Sequence, residues 1–241
     1  VCRHAAWLGP SRPLSSLIGE PEHGLLLQAY APRLQRYGTV NADGFGVGWY
    51  DAARAEPVRY RRSVPIWADA NLPGIADVAR SGCLLAAVRS ATIGMPIEES
   101  ATAPFSDGRW LLSHNGRVDR VAVAGNGVAV AGNGMDPESP CDSAWLASAV
   151  FARLRAGMPV ADAVAQVVTE TARADPAARL NLLVCGGSEI VATAWGDTLF
   201  THVHEGVLLA SEPLDGRPGW RAVDDRTLVL ASPDGVSVTR I

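Results

Sequence analysis

Apolar residues fall in short runs punctuated by Gly, Pro, Asp and Asn, and runs of strand character outnumber those with helical spacing. Strands are predicted at Arg3–Leu8, Phe45–Tyr50, Cys83–Val88 and Trp110–His114. A later set is predicted at Leu182–Cys185, Ile190–Trp195, Thr198–His202, Val207–Ser211, Thr227–Ser232 and Val236–Arg240. Short Gly-, Asp- or Ser-containing connections join the later set, which reads as an antiparallel meander rather than a βαβ array. Helical spacing is clearest over Cys141–Leu154 and Val160–Arg173, with a Gly157-Met158-Pro159 break between them. Shorter helices are predicted at Ser15–Ile18, His23–Ala31 and Ile66–Ala79. Runs of strands with helices grouped in the middle give an α+β class with helices packed on sheet faces. The run VAVAGNG at Val121–Gly127 recurs unchanged at Val128–Gly134. Two copies are too few for a solenoid, and Asn-Gly is a hairpin signal, so the segment reads as a lengthened surface loop.

Composition narrows the chemistry. With 241 residues, 48% hydrophobic and 19% charged, the chain has the make-up of a soluble globular protein with one large or two small domains. No apolar run reaches the ~18–20 residues that a membrane span needs, and no secretory signal pattern opens the chain. All 21 Lys+Arg residues are Arg. That removes Schiff-base lysines, a pyridoxal-phosphate anchor and a P-loop lysine. The net charge of −4 argues against general nucleic-acid binding. Cys2, Cys83, Cys141 and Cys185 show no C-x-x-C spacing, and four cytoplasmic thiols are expected.

Cys2 stands one residue from the start. A thiol at the head of a mature chain has its own α-amine as base, with a pKa of roughly 8 against about 8.5 for the thiol. This chemistry requires removal of Val1, which is expected to represent a GUG start codon. The bland alternative is a core cysteine in a first strand. The glycines of Asn41-Ala42-Asp43-Gly44-Phe45-Gly46-Val47-Gly48-Trp49-Tyr50 enter a strand rather than open a helix, so a dinucleotide fingerprint fails its context. Their alternation suggests a strand lying close to another backbone. Arg89, beside Ser90 and Thr92 at a strand end, suits a bidentate grip on a carboxylate or a plain surface position. Asn115-Gly116 at a strand end is usually a turn and can also supply a pair of donors for an oxyanion, with His114 as a neighbour. Asp142 begins a helical run, where an acid serves as a cap or first-turn charge, or pairs with a substrate ammonium.

In order, Cys2, the Asn41–Tyr50 run, Arg89-Ser90-Ala91-Thr92, His114-Asn115-Gly116 and Asp142-Ser143 resemble the class II glutamine amidotransferases, a family of N-terminal nucleophile (Ntn) hydrolases. The likeness is carried by residues 2–150. Ala210-Ser211-Glu212-Pro213-Leu214-Asp215 with Trp220 is similar to small stand-alone members. The opening Cys2-Arg3-His4-Ala5-Ala6-Trp7-Leu8-Gly9 is similar to the family's γ-glutamyl amide hydrolases of ergothioneine biosynthesis. The resemblance implies an α+β, four-layer αββα sandwich of two antiparallel sheets. It also implies one class II domain over residues 1–241, with transfer to water because no synthase domain accompanies it. By the same resemblance Cys2 is the nucleophile, and Asn115 and Gly116 hold the oxyanion. Arg89 takes the glutamyl α-carboxylate and Asp142 its α-ammonium, with Thr92 and His114 in the same substrate pocket. It implies no metal or organic cofactor. The expected partner is a small-molecule γ-glutamyl substrate, with no nucleic acid and no membrane, and a homo-oligomer is admitted. Ser143-Ala144 departs from the pattern, since many members carry an acidic residue after the hydroxyl one. Val1 and the duplicated segment also lie outside it. Two competing readings stay open: another γ-glutamyl amidase of glutathione or glutamine type, and an inactive binding module of the same fold.

Overall fold

The computed structural model describes residues 2–119, 136–233 and 235–241. Val1 and the duplicated VAVAGNG segment lie outside the described residues. Along the chain come β1 (Arg3–Pro13), α1 (Ser15–Ile18), α2 (Leu25–Tyr30), β2 (Phe45–Trp49), β3 (Val58–Arg62), α3 (Leu72–Val78) and β4 (Arg80–Val88). Next are β5 (Phe105–Ser106), β6 (Leu111–Arg117), α4 (Asp142–Arg155), α5 (Val160–Ala174), β7 (Arg179–Cys185) and β8 (Ile190–Ala194). The chain ends with β9 (Phe200–Val203), β10 (Val207–Ala210), β11 (Arg221–Ala222), β12 (Thr227–Ser232) and β13 (Gly235–Arg240).

Two sheets result, one of seven strands in the order β11-β9-β10-β1-β4-β2-β3 and one of six in the order β13-β12-β8-β7-β6-β5. Alternation along each strand sends one set of side chains between the sheets and the other toward the helices. Ala6 and Leu8 of β1 meet Leu111, Leu183, Cys185 and Val229 of the facing sheet. Ala5 and Trp7 turn the other way, onto Leu17, Leu25 and Ala76 of α1–α3. On the six-stranded sheet, Leu112, Leu180, Leu182 and Val184 pack outward against Leu146 and Val150 of α4 and Val164 and Val168 of α5. The four layers are therefore helix, sheet, sheet, helix, as expected. The stripe Val160, Ala163, Val164, Val167, Val168 and Thr171 holds α5 down. Each fully buried valine contributes roughly 1.5–3 kcal/mol.

Two local expectations change, and one strand was not predicted. The late strands do not form one meander: β9–β11 join the seven-stranded sheet, while β7, β8, β12 and β13 join the other. Each sheet needs a partner for its apolar inner face, and moving between sheets gives Leu209 and Val229 a shared core. The predicted helix at Ile66–Ala79 breaks into a 3-10 turn at Ile66–Ala68 and α3. The break is at Asp69, whose carboxylate accepts the Asn71 N–H at 2.9 Å and the Tyr60 hydroxyl at 2.6 Å. Strand β3 has no alternating apolar pattern because it is an edge strand. Its Arg59 and Arg61 instead grip Glu138 at 2.8 and 2.9 Å.

Close backbone approach explains the β2 glycines. A Cβ on Gly46 would stand 2.1 Å from the Ala103 carbonyl oxygen, and one on Gly48 2.7 Å from Leu111. These contacts seat the segment entering β5 over β2. Strand β7 packs across the inter-sheet space against β1 and β4.

Candidate active site

Strand β1 begins at one end of the inter-sheet space, and Cys2 is the residue just outside it. The pairing Arg3↔Val88 places Cys2 beside Arg89, the first residue beyond β4. Facing them across the space is β6. The His4 ring meets the Ser113 hydroxyl at 3.1 Å, and the Cys2 backbone nitrogen donates to Asn115 Oδ1 at 3.0 Å. Asn115 is completely buried, so this contact fixes which end of its amide is the acceptor. Its Nδ2 is left as a donor, with Ser211 Oγ at 3.4 Å on one side. Ser211, just past β10, ties the strands together. Its Oγ accepts the His4 N–H at 3.1 Å and its own N–H donates to the His4 carbonyl at 2.9 Å. Gly116 is required by sterics, since a Cβ there would lie 1.9 Å from the Arg179 carbonyl oxygen.

The β4 flank holds the expected glutamyl-binding residues. Arg89 is nearly buried, with its N–H donating to the Gly44 carbonyl at 2.8 Å and its Nη1 3.4 Å from the Asp43 carbonyl. Asp43 completes the turn by accepting the Ala91 N–H at 2.8 Å. Thr92 follows in the same turn, half-buried. Asp142 starts α4, where its carboxylate suits the positive helix end. It accepts the Val118 and Ser143 N–H groups at 3.0 and 2.9 Å. Cys141 beside it feels the Arg89 charge, so the two expected ligand-binding groups share one neighbourhood.

His114 occupies a different place from the one expected. It points to the helix side of β6, where Nε2 donates to the Arg179 carbonyl at 2.8 Å and Nδ1 pairs with Ser143 Oγ at 2.9 Å. A carbonyl can only accept, so Nε2 carries the hydrogen and Nδ1 accepts from Ser143. Burial lowers its pKa and keeps the ring neutral. Both nitrogens are engaged by the protein, which makes His114 a brace between β6, β7 and α4.

Beneath Cys2 lies a buried polar network that the sequence did not announce. Arg3 is fully buried on the helix side, 3.2 Å from Glu212, and His23 contacts the same carboxylate at 3.2 Å. Burial lowers the Arg3 pKa, opposed by the charges of Asp197 and Glu212. His4 is driven to a pKa of about 3, first by burial and then by the charge of Arg3. The network surrounds the cysteine with fixed charge and neutral imidazole. Ser211 and Glu212 were visible only as part of the Ala210–Asp215 run. A lone serine after a strand carries no signal of its own role.

A chain whose first strand brings a cysteine nitrogen onto an Asn-Gly pair, within an αββα sandwich, has the architecture of an amidotransferase with an N-terminal nucleophile. The class II glutamine amidotransferase family model matches residues 24–204, and the chain belongs to that family. Over 240 residues it is 50% identical to a γ-glutamyl-hercynylcysteine sulfoxide hydrolase of Mycolicibacterium smegmatis, covering 99% of each chain. A protein of the same description from Mycobacterium tuberculosis is 49% identical over 242 residues, covering 100% of this chain and 97% of the relative. Among solved structures, a glutamine aminotransferase class-II domain protein from Silicibacter pomeroyi superposes with a TM-score of 0.69 at 23% identity, covering 99% of both chains. The phosphoribosylpyrophosphate amidotransferase of B. subtilis gives 0.68 at 14% identity, with this chain spanning 49% of it. Both share the fold. No helix among the described residues is long and apolar enough to cross a membrane.

Proposed function

We propose that this chain hydrolyses the γ-glutamyl amide of γ-glutamyl-hercynylcysteine sulfoxide, releasing glutamate and hercynylcysteine sulfoxide. The observation that carries the reading is the Cys2 nitrogen held 3.0 Å from Asn115 Oδ1, in a chain alike along its whole length to hydrolases of that description. With Cys2 as the first residue of the mature chain, that nitrogen is a free α-amine beside its own thiol. The amine takes the thiol proton, and the thiolate adds to the γ-carbonyl carbon. Asn115 Nδ2 and the Gly116 N–H hold the resulting oxyanion. The ammonium then returns the proton to the departing amine. A water molecule, deprotonated by the same amine, hydrolyses the thioester. Arg89 grips the glutamyl α-carboxylate, Asp142 its α-ammonium, and Thr92 lines the same pocket. Residues 1–241 act in this reading as one domain. The free thiols of Cys2, Cys83, Cys141 and Cys185 suit a reducing compartment, and we place the reaction in the cytoplasm.

Glutamate release from γ-glutamyl-hercynylcysteine sulfoxide, glutathione and glutamine, measured side by side, tests the reading. The sulfoxide is expected to be the preferred substrate, and Cys2→Ala to abolish its cleavage. Preference for glutathione or glutamine would overturn it, as would turnover by a chain whose intact mass retains Val1. The absence of lysine sharpens the test. The Cys2 α-amine would be the only aliphatic amine in the mature chain. Selective acylation there is expected to stop turnover.

A further inference from the structure

The flank opposite Arg89 holds an arginine with no assigned role. Arg179 is the first residue of β7, paired across the sheet with Arg117 as Asn181 is with Asn115. Alternation puts Arg117 and Arg179 on the same inner face as those asparagines, about 6.8 Å further along the strands. Strands β1 and β6 face each other with His4 at Ser113 and Cys2 at Asn115. The Arg117–Arg179 level is therefore one step outward from Cys2, at the mouth of the inter-sheet space. Like charges directly opposite on neighbouring strands are unfavourable; Asp197 offsets the charge of Arg179 from one side, and Arg117 is exposed.

The Arg179 side chain is held in place. Its guanidinium lies 3.9 Å from the centroid of the Tyr37 ring, and its Nε is 3.9 Å from Asp197 Oδ2. Stacking fixes the plane of the guanidinium, and the side chain keeps 15% of its surface exposed. Nε is buried without a hydrogen bond. Tyr37 is anchored in turn: its carbonyl accepts Gln35 Nε2 at 2.9 Å, and Gln35 Oε1 lies 3.3 Å from Arg3 Nε, next to Cys2. Gly38 lies against Ser90, with a Cβ there 3.8 Å from its hydroxyl. The segment 35–38 thus crosses the mouth from the Arg89 flank to the Arg179 flank.

We infer that Arg179, oriented by Tyr37, is the leaving-group specificity residue, binding a carboxylate next to the scissile nitrogen. This rests on the proposed γ-glutamyl hydrolysis. In that substrate the leaving group is an S-substituted cysteine, whose α-carboxylate sits on the carbon attached to the departing amine. With the glutamyl group on Arg89 and the carbonyl carbon at Cys2, the leaving side of the amide extends toward β7. The site therefore selects γ-glutamyl amides of α-amino acids over those of simple amines or ammonia.

The test compares γ-glutamyl-S-methylcysteine sulfoxide with its decarboxylated counterpart, γ-glutamyl-S-methylcysteamine sulfoxide. Wild-type protein is expected to favour the acid by about 10- to 100-fold in kcat/KM, mainly through KM, the range for a charge-assisted hydrogen-bonded pair. Arg179→Gln is expected to bring that ratio close to one, Arg179→Lys to retain part of it, and Tyr37→Phe to retain it. Tyr37→Leu, at a half-exposed position, reads the same ratio should Arg179→Gln fold poorly, and is expected to lower it. Equal treatment of both substrates by the wild type, or an unchanged ratio in Arg179→Gln and Tyr37→Leu, overturns the inference alone. Failure of the wild type to release glutamate from any γ-glutamyl amide overturns the proposed function, and the inference with it.

Discussion

Turning the Asn115 amide over would set its NH2 against the Cys2 N–H, two donors face to face. The 3.0 Å contact to Oδ1 therefore decides the chemistry of the cleft at the level of a single atom. Asn115→Ala removes the donor and is expected to lower kcat by about 10²–10³. KM should change little, because an oxyanion exists only in the transition state. Asn115→Asp keeps an acceptor for Cys2 and loses the donor. It is expected to match the alanine variant in rate while melting close to wild type. An aspartate variant with near-native kcat would show that the carbonyl oxygen is stabilised elsewhere. Cys2, Asn115 and Arg89 could be picked out as candidates from the sequence because each sits in a short motif: the head of the chain, His114-Asn115-Gly116 and Arg89-Ser90-Ala91-Thr92. Ser211 and Arg179 could not. Serine and arginine are ordinary at such places, and what distinguishes these two is a partner more than 60 residues away.

At the scale of elements, the β6–β7 pair is the most constrained part of the site. Asn115 faces inward and the consecutive Gly116 outward, so the two proposed oxyanion donors are a side-chain amide on the inner face and a backbone N–H lying in the plane of the sheet. A Cβ on Gly116 would also stand 2.6 Å from His114 Nε2. Gly116→Ala must push β6 from β7 or break the His114–Arg179 bond, and neither obstacle is the end of a flexible side chain. Overpacking of this kind costs about 1–3 kcal/mol. The variant is expected to lose that stability in urea unfolding, and to lose activity beyond what the unfolded fraction explains. Native stability in Gly116→Ala would show that the strands yield easily. Periodicity located both long helices and most strands, because each buries one stripe. It did not allot strands to sheets. Antiparallel strands in either sheet carry the same alternation, and Leu209 and Val229 look alike until the facing sheet is present. Strand β3 escaped notice for a related reason: its arginines are satisfied by Glu138, far along the chain.

For the whole molecule, burial of charge and of neutral imidazole makes stability depend on pH. Arg3 and Glu212 are an ion pair with almost no exposure, and removing either partner leaves a buried charge uncompensated. His4 adds a distinct signature. Its folded pKa of about 3 lies far below the ordinary histidine value of about 6.5. Between those values the unfolded chain binds a proton that the folded chain does not. Stability therefore rises with pH through that window and is lost as pH falls from about 6.5 toward 3. His114, also lowered by burial, acts in the same direction. The lowered carboxyls of Asp69 and Asp215 lose their contribution only at and below the ordinary carboxylate range, so the upper part of the window belongs to the histidines. A single proton gives a slope of about 1.4 kcal/mol per pH unit. His4→Gln, which keeps a hydrogen-bonding group for Ser113, is expected to reduce the slope of unfolding free energy between about pH 4 and pH 6 by that amount. The comparison uses slopes, so a uniform loss of stability in the variant does not obscure it. An undiminished slope would mean that His4 is protonated in the folded protein, and would remove neutral imidazole from the surroundings of Cys2.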